Sequence, residues 1–223
     1  MNKIPNLRDP LYWKKPKLYV IVDNSLLGNR LLEDIVFMII NGGADIIQYR
    51  DKTGPDDIFS ENAERIKKLA DKFFIPFIIN DRMHIAKEIN ATGVHLGKDD
   101  MNLSEARKKY GKKIIIGSTA RNIDDIRNAE NAGADYCGVG SIFSSSTKQA
   151  PVIGIDFLKE AAGLSGLPLA AIGGINIENI TEVLTAGCNA VCVSSSVIKS
   201  DDPEEYTYNL KSAVDSFYSK NKS

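Results

Sequence analysis

The sequence predicts an α/β protein folded as a (β/α)8 TIM barrel in a single domain, and three observations carry that prediction. Short β-branched runs alternate with longer amphipathic stretches along the whole chain. There are eight of each over about 200 residues, the count of such a barrel. The 223 residues contain no composition break or linker that would mark a second domain. Similar units without a break favour closure over the structural alternative, a doubly wound open sheet. Residues 1–16 are set apart as an N-terminal extension, leaving 17–223 for the barrel.

The strands are KLYVIVD (17–23), ADIIQYR (44–50), PFIIN (76–80), TGVHL (92–96), KIIIG (113–117), DYCGVG (135–140), PLAAIGG (168–174) and AVCVSS (190–195). Most are apolar without clean alternation, as strands buried on both faces of a parallel sheet are. A helix is predicted over 30–41, where Leu32, Ile35, Val36 and Ile39 fall at i, i+3, i+4 and i+7. Residues 56–74 repeat that spacing with Ala63, Ile66, Leu69, Ala70 and Phe73. Shorter helices are predicted over 82–89 and 102–110, and further ones over 123–132, 155–162, 177–186 and 203–218. The tags NGGAD (41–45), NAGAD (131–135) and TAGCN (185–189) each end a helix and begin a strand. A Gly there can take the left-handed conformation that stops a helix.

Charge and composition narrow the function. Lys plus Arg number 28 against 29 Asp plus Glu, so nothing in the total favours a polyanion and no nucleic-acid partner is expected. No apolar run approaches the ~18 residues of a membrane span, and the first sixteen residues lack the apolar core of a signal peptide. Cys137, Cys188 and Cys192 sit among apolar or small residues and read as reduced core thiols of a cytoplasmic protein.

In such a barrel the functional face is the carboxyl end of the strands. Strand two ends in Gln48 and Arg50, then Lys52; strand three in Asn80 and Asp81. Strand four ends in His95, followed by Lys98 and Asp100, and strand five in Ser118, Thr119 and Arg121. A serine-rich loop after strand six reaches Thr147 and Lys148. Strand seven ends in Gly173 and Gly174, strand eight in Ser194, Ser195 and Ser196. A single polar residue at a strand end is often there only because it meets water. The set is harder to explain that way: three cations come from two loops, two carboxylates from neighbouring loops, and Gly-Gly and Ser-Ser from the last two strands. The last feature suits a phosphate group, and the carboxylates suit Mg²⁺ bound to a di- or polyphosphate. His84 reads as a surface or capping residue. His95 either reaches the site or packs at its strand end, Asp23 either orients the site or does not, and 108–113 reads as a solvated helix end.

The ordered set YVIVD, QYRDK, FIINDR, GVHLGKDD, IIGSTA, the STK of the serine loop, AIGGI and VSS followed by DDP resembles the thiamine phosphate synthase family, from about residue 18 to residue 203. That family joins hydroxymethylpyrimidine pyrophosphate to hydroxyethylthiazole phosphate, giving thiamine phosphate and pyrophosphate, by a dissociative, Mg²⁺-assisted substitution. The resemblance implies that Gln48, Tyr49, Arg50, Asp51 and Lys52 form the pyrimidine-pyrophosphate segment, with Asn80 touching the same substrate. It implies Mg²⁺ on Asp81 and Asp100, Thr119 as the hydroxyl of the pyrophosphate loop, and Lys148 on the pyrophosphate. Ser145, Ser146 and Thr147 match the loop at the thiazole phosphate; Gly174, Ser194 and Ser195 match its backbone site. Arg50, Lys52 and Lys148 are the groups expected to stabilise the leaving pyrophosphate. The partners implied are two small-molecule substrates, with a homo-oligomer left open.

The chain departs from the family pattern in three places. Lys98, Asp99, Asp100 replace the usual Gln-Glu-Asp; Ser144, Ser145 replace Pro-Thr; and Arg121 replaces the His after the strand-five hydroxyl. Two other readings stay open beside the synthase. One is a thiazole tautomerase-like isomerase, which would need a base such as His95. The other is a non-catalytic binder of thiamine phosphate.

Overall fold

A computed structural model describes residues 3–98, 100–145 and 151–221. Eight parallel strands close into a barrel in sequence order: β1 (Lys17–Asp23), β2 (Ile46–Arg50), β3 (Phe77–Asn80), β4 (Gly93–Leu96), β5 (Ile115–Ala120), β6 (Tyr136–Val139), β7 (Leu169–Ile172) and β8 (Ala190–Val193). Tyr19 pairs with Cys192 to shut the cylinder between β1 and β8. The connecting helices are α1 (Leu32–Asn41), α2 (Asp56–Lys72), α3 (Met83–Glu88), α4 (Leu103–Tyr110), α5 (Ile123–Asn131), α6 (Gly154–Leu164) and α7 (Ile180–Thr185). After β8 come a four-residue helix, α8 (Ser195–Ile198), and the long α9 (Pro203–Lys220). The fold is the expected (β/α)8 barrel. No helix among the described residues is long and apolar enough to cross a membrane.

Successive residues of a strand point to opposite faces, so each strand feeds two cores. The outer core lies between barrel and helices, and receives Leu18, Val20 and Val22 of β1, Ile47 and Tyr49 of β2, and Phe77 and Ile79 of β3. The inner core receives Tyr19, Ile21, Ile46, Ile78, Ile115 and Tyr136. Both faces are apolar, which is why the runs show little alternation. Cys137 and Cys188 join the outer core and Cys192 the inner one, all as buried free thiols. Burial pushes the Cys137 and Cys188 thiols up to about 12.

The inner core is closed at the amino ends of the strands by the segment before β1. Leu7 and Trp13 are buried against Tyr19, Ile46, Ile115 and Tyr136. Trp13 donates its Nε1–H to the Leu7 carbonyl at 2.7 Å, and its ring lies 6.2 Å from that of Tyr136. Arg8 fixes the segment by donating to both Asp135 oxygens, at 2.6 and 2.9 Å, and to the Ile114 carbonyl at 2.6 Å.

Several boundaries differ from the sequence expectation, and three of them have a clear local reason. β5 begins at Ile115 and runs on to Ala120, because Ser118 and Thr119 continue the ladder with Cys137 and Gly138. β7 stops at Ile172 because Gly173 and Gly174 have φ of 106° and 65°, which no strand residue adopts. α8, read as a polar strand end, spans too few residues for a period of 3.6 to register.

The loop that leaves β2 is built on Asp51. Its carboxylate accepts from the amides of Thr53 (3.0 Å) and Gly54 (2.9 Å) and from Asn24 Nδ2 (3.0 Å). Burial alone would raise its pKa. The Gly54 and Thr53 amides more than offset that and hold it below the usual carboxylate range.

Two stability outcomes are expected. Trp13→Ala empties the base of the inner core and should cost about 3–5 kcal/mol in urea unfolding, as buried Trp truncations do; a loss under about 1 kcal/mol would mean the base is closed without it. Because the folded Asp51 pKa is depressed, its contribution is present above the unfolded value near ~3.9 and is lost as pH falls through the folded one. Asp51→Asn should therefore unfold at a lower denaturant midpoint than wild type at neutral pH, with the two midpoints converging in acid. Parallel pH curves would contradict this.

Candidate active site

The carboxyl ends of the strands surround a cavity of about 480 Å³. That volume suits a small-molecule site. Its floor is a chain of polar inward-facing side chains. Gln48 Nε2 donates to the Tyr19 hydroxyl at 2.7 Å, and that hydroxyl lies 2.9 Å from the Tyr136 hydroxyl. Tyr136 OH lies 3.2 Å from His95 Nδ1, and His95 Nε2 lies 3.0 Å from Thr119 Oγ1. Four strands other than β1 thus contribute to one hydrogen-bonded line across the barrel. Gly117 and Gly138 make room for it: a Cβ on Gly117 would lie 2.2 Å from the Tyr136 ring, and one on Gly138 2.8 Å from the His95 ring. Burial pushes both phenols up, so Tyr19 and Tyr136 stay neutral.

On the β1–β4 side of the mouth, cations meet carboxylates. Arg50 forms an ion pair with Asp23, directly across the β1–β2 pairing, and Asp23 also accepts from Ser25 Oγ at 2.7 Å. Lys52 forms an ion pair with Asp81 and lies 4.0 Å from Asp100. Asp81 sits just past β3 with φ of 64°, a conformation Asp tolerates better than most residues. Its amide donates to the His95 carbonyl at 2.9 Å. Asp100 accepts from the Gly97 amide at 2.7 Å. Burial, and then the neighbouring Asp81 carboxylate, raise the Asp100 pKa above its ordinary value; the Gly97 amide and Lys52 only partly offset this. The two carboxylates stand beside one ammonium group, that of Lys52.

On the opposite side, Gly173 and Gly174 carry the chain tightly past the loop after β6. A Cβ at Gly173 would lie 2.0 Å from Ser141 Oγ, and one at Gly174 2.4 Å from the Ser144 carbonyl. Both glycines face the cavity, as do Ser145, Ser194 and Ser195. Ser194 leads into α8, where its carbonyl accepts from the Val197 and Ile198 amides at 3.1 and 2.9 Å.

The structure brings together most of the residues singled out in the sequence. Gln48, Arg50, Lys52, Asn80, Asp81 and Thr119 line one side of the cavity, with Asp100 against Asp81 and Lys52; Gly174, Ser145, Ser194 and Ser195 line the other. Tyr49 and Asp51 are placed elsewhere. Tyr49 is fully buried in the outer core beside Phe59, its hydroxyl accepting from Asn62 Nδ2 at 3.1 Å. Gln48 and Arg50 face inward, so the residue between them must face outward. Asp51 serves its own loop and does not line the cavity. Ser146, Thr147 and Lys148 lie outside the described residues. His84 is exposed and lies 2.8 Å from Asp56, away from the mouth. His95 and Asp23, left open in the sequence, both line the cavity. Tyr19, Tyr136 and Lys199 also line it and were missed. The first two could have been found by counting in twos from Asp23 and Gly138.

A family model described as thiamine monophosphate synthase matches residues 18–197. The thiamine-phosphate synthase of Persephonella marina is 43% identical over 201 residues, covering 90% of this chain and 96% of that one. That of Clostridium novyi is 42% identical over 188 residues, covering 83% and 92%. Among solved structures, thiamine phosphate pyrophosphorylase from Pyrococcus furiosus superposes with a TM-score of 0.85 at 33% identity, over 93% of this chain and 98% of that one. A match across the whole barrel, joined to a mouth that carries the motif residues on its two sides, places the chain in the thiamine monophosphate synthase family.

Proposed function

We propose that the chain joins hydroxymethylpyrimidine pyrophosphate to hydroxyethylthiazole phosphate, releasing pyrophosphate and forming thiamine phosphate, in the cytoplasm. The observation that carries this reading is the division of one mouth into two unlike halves. Cations and carboxylates stand on the β1–β4 side, and glycines and serines on the β6–β8 side. The first half suits a pyrophosphate with a metal ion; the second suits a phosphate monoester held by amides and hydroxyls. The pyrimidine ring then lies over the polar floor between them.

In the reaction the C–O bond at the pyrimidine methylene breaks, and its electron pair leaves with the pyrophosphate. The thiazole ring nitrogen gives its lone pair to the same carbon. No proton has to move to a protein base, which agrees with neutral tyrosines on the floor. Charge builds on the leaving oxygen as the bond stretches. Arg50 and Lys52, released from Asp23 and Asp81 by the incoming anion, stabilise that charge more in the transition state than before it. Lys148 is assigned the same role. Asn80 and Gln48 orient the pyrimidine from the inner face.

The metal assigned here is Mg²⁺ on Asp81 and Asp100. The fit rests on two adjacent carboxylates at the cavity mouth that stand beside a single lysine. Among the described residues no cluster of three or more His, Cys, Asp or Glu is present. Mg²⁺ commonly takes one or two carboxylates and completes its shell with waters and substrate phosphates, so two are enough. When bound, the ion would neutralise charge on the pyrophosphate.

A coupled assay with both substrates and Mg²⁺ tests the reading: pyrophosphate release should require all three. Release without the thiazole phosphate, or binding of both substrates without turnover, would contradict it. Asp81→Ala and Asp100→Ala should fold normally and each lower turnover by about 10²–10³, the scale of about 2–4 kcal/mol for one electrostatic group. They should also need more Mg²⁺ for half-maximal rate; full activity of both at limiting Mg²⁺ would remove the metal assignment. At the other end, Gly174→Val is an unsuitable probe, because its side chain would meet the Ser144 carbonyl. Ser195→Asp places a negative charge there instead. It should raise the KM of the thiazole phosphate by about tenfold or more while leaving that of the pyrimidine substrate nearly unchanged. The opposite pattern would mean the two substrate ends are reversed.

A further inference from the structure

Two of the positions where the chain departs from the family pattern meet at one carboxylate. Lys98, on the loop after β4, places Nζ 2.7 Å from Asp125 Oδ2. The same oxygen accepts the Arg121 backbone N–H at 2.8 Å, from the loop after β5. Asp125 stands in the first turn of α5, where its own amide donates to Asn122 Oδ1 at 2.7 Å. Lys98 is therefore turned toward α5 and does not line the cavity, whereas Arg121 does.

The side chain of Arg121 differs from the other arginine of the mouth. Arg50 is paired with Asp23. Among the described residues the Arg121 guanidinium has no hydrogen bond or ion pair, although it is half-buried and follows Thr119 at the end of β5. The acidic side chain already in contact with this residue, through its backbone amide, is that of Asp125. The charge of that aspartate is already paired with the Lys98 ammonium group, and the same oxygen takes the backbone amide. A guanidinium is always charged and offers a planar fork of donors that matches phosphate oxygens. Partial burial without a partner costs free energy, which an anionic ligand offsets.

We propose that Arg121 binds the pyrophosphate of the pyrimidine substrate, and that the Lys98–Asp125 ion pair keeps its guanidinium available by occupying the aspartate. This rests on the reading above, in which the pyrophosphate lies on the side of the mouth that carries Arg50 and Lys52. Arg121 is then a ligand-binding residue and Lys98 a positioning residue. A lysine close to Asp100 in sequence acts here through Asp125 and not by adding charge to the cavity.

Calorimetric titration with inorganic pyrophosphate and Mg²⁺, together with steady-state KM values for both substrates, tests the proposal. Arg121→Gln should weaken pyrophosphate binding by about tenfold, the loss expected for one charged hydrogen bond. The KM of the pyrimidine substrate should rise with it, while the KM of the thiazole phosphate and the thermal midpoint stay unchanged. Lys98→Gln should weaken pyrophosphate in the same direction, because Asp125 then competes for the guanidinium. Adding Asp125→Asn to Lys98→Gln should restore binding, since Asn can still accept the Arg121 amide but has no charge to draw the side chain away. A merely structural Lys98 predicts a double variant no better than the single. Pyrophosphate binding by Arg121→Gln within about twofold of wild type would overturn the proposal while leaving the site reading intact. An unrescued Lys98→Gln would overturn the positioning role. Failure of the wild-type chain itself to bind pyrophosphate with Mg²⁺ would overturn the site reading and this proposal together.

Discussion

Closure of the eight strands forces every second side chain of each strand into one narrow interior, and the rest of the molecule follows from how that interior is filled. Toward the amino ends the filling is apolar, with Trp13 and Leu7 sealing the base. Toward the carboxyl ends it changes to Gln48, Tyr19, Tyr136, His95 and Thr119, each satisfied by the next. A buried polar group without a partner is costly, so this line persists only as a connected whole. It gives the cavity a hydrogen-bonded floor, with the aspartates, arginines and lysines of the mouth on the rim. The glycines of β5 and β6 belong to the same constraint, since a Cβ at Gly117 or Gly138 would displace the rings that build the floor.

The rim obeys a second constraint, that of charge balance. Arg50 and Lys52 would repel each other and any bound cation if they stood alone; each instead has a carboxylate partner. Those partners are placed by the strands of the barrel. Asp23 ends β1 opposite Arg50, and Asp81 is held in a left-handed turn by the ladder of β3 and β4. Asp51, one residue from Arg50, directs its carboxylate to the amides of its own loop and, among the described residues, forms no ion pair with the arginine or lysine of the mouth. Under the proposed function, an incoming anion would take Arg50 and Lys52 from these internal pairs.

Much of this was legible in the residues. The count of strands and helices gave the barrel, and the residues that follow each strand gave the rim, because both depend on local period and order. What was misread depended on facing. Tyr49 and Asp51 sit within a motif whose neighbours Gln48 and Arg50 face the cavity, and adjacency in the chain hid their opposite direction. Tyr19 and Tyr136 were overlooked because a tyrosine in an apolar run looks like packing until a partner hydroxyl is found across 117 residues. The role of Gly174 was seen as room for a phosphate. The structure adds a nearer reason, the approach of the Ser144 carbonyl. The direction of Lys98 was out of reach for the same cause, since Asp125 lies on a different unit of the barrel.

The two halves of the mouth imply that both anionic groups are held at once, and simultaneous binding is the property to measure. Titration of the thiazole phosphate into protein saturated with pyrophosphate and Mg²⁺ reads it directly. If the halves are separate, the thiazole phosphate binds with one site per chain and an affinity close to that for the free protein, while pyrophosphate remains bound. If pyrophosphate instead displaces it competitively, the two groups share one locus, and the division of the mouth into a pyrophosphate side and a phosphate side is wrong.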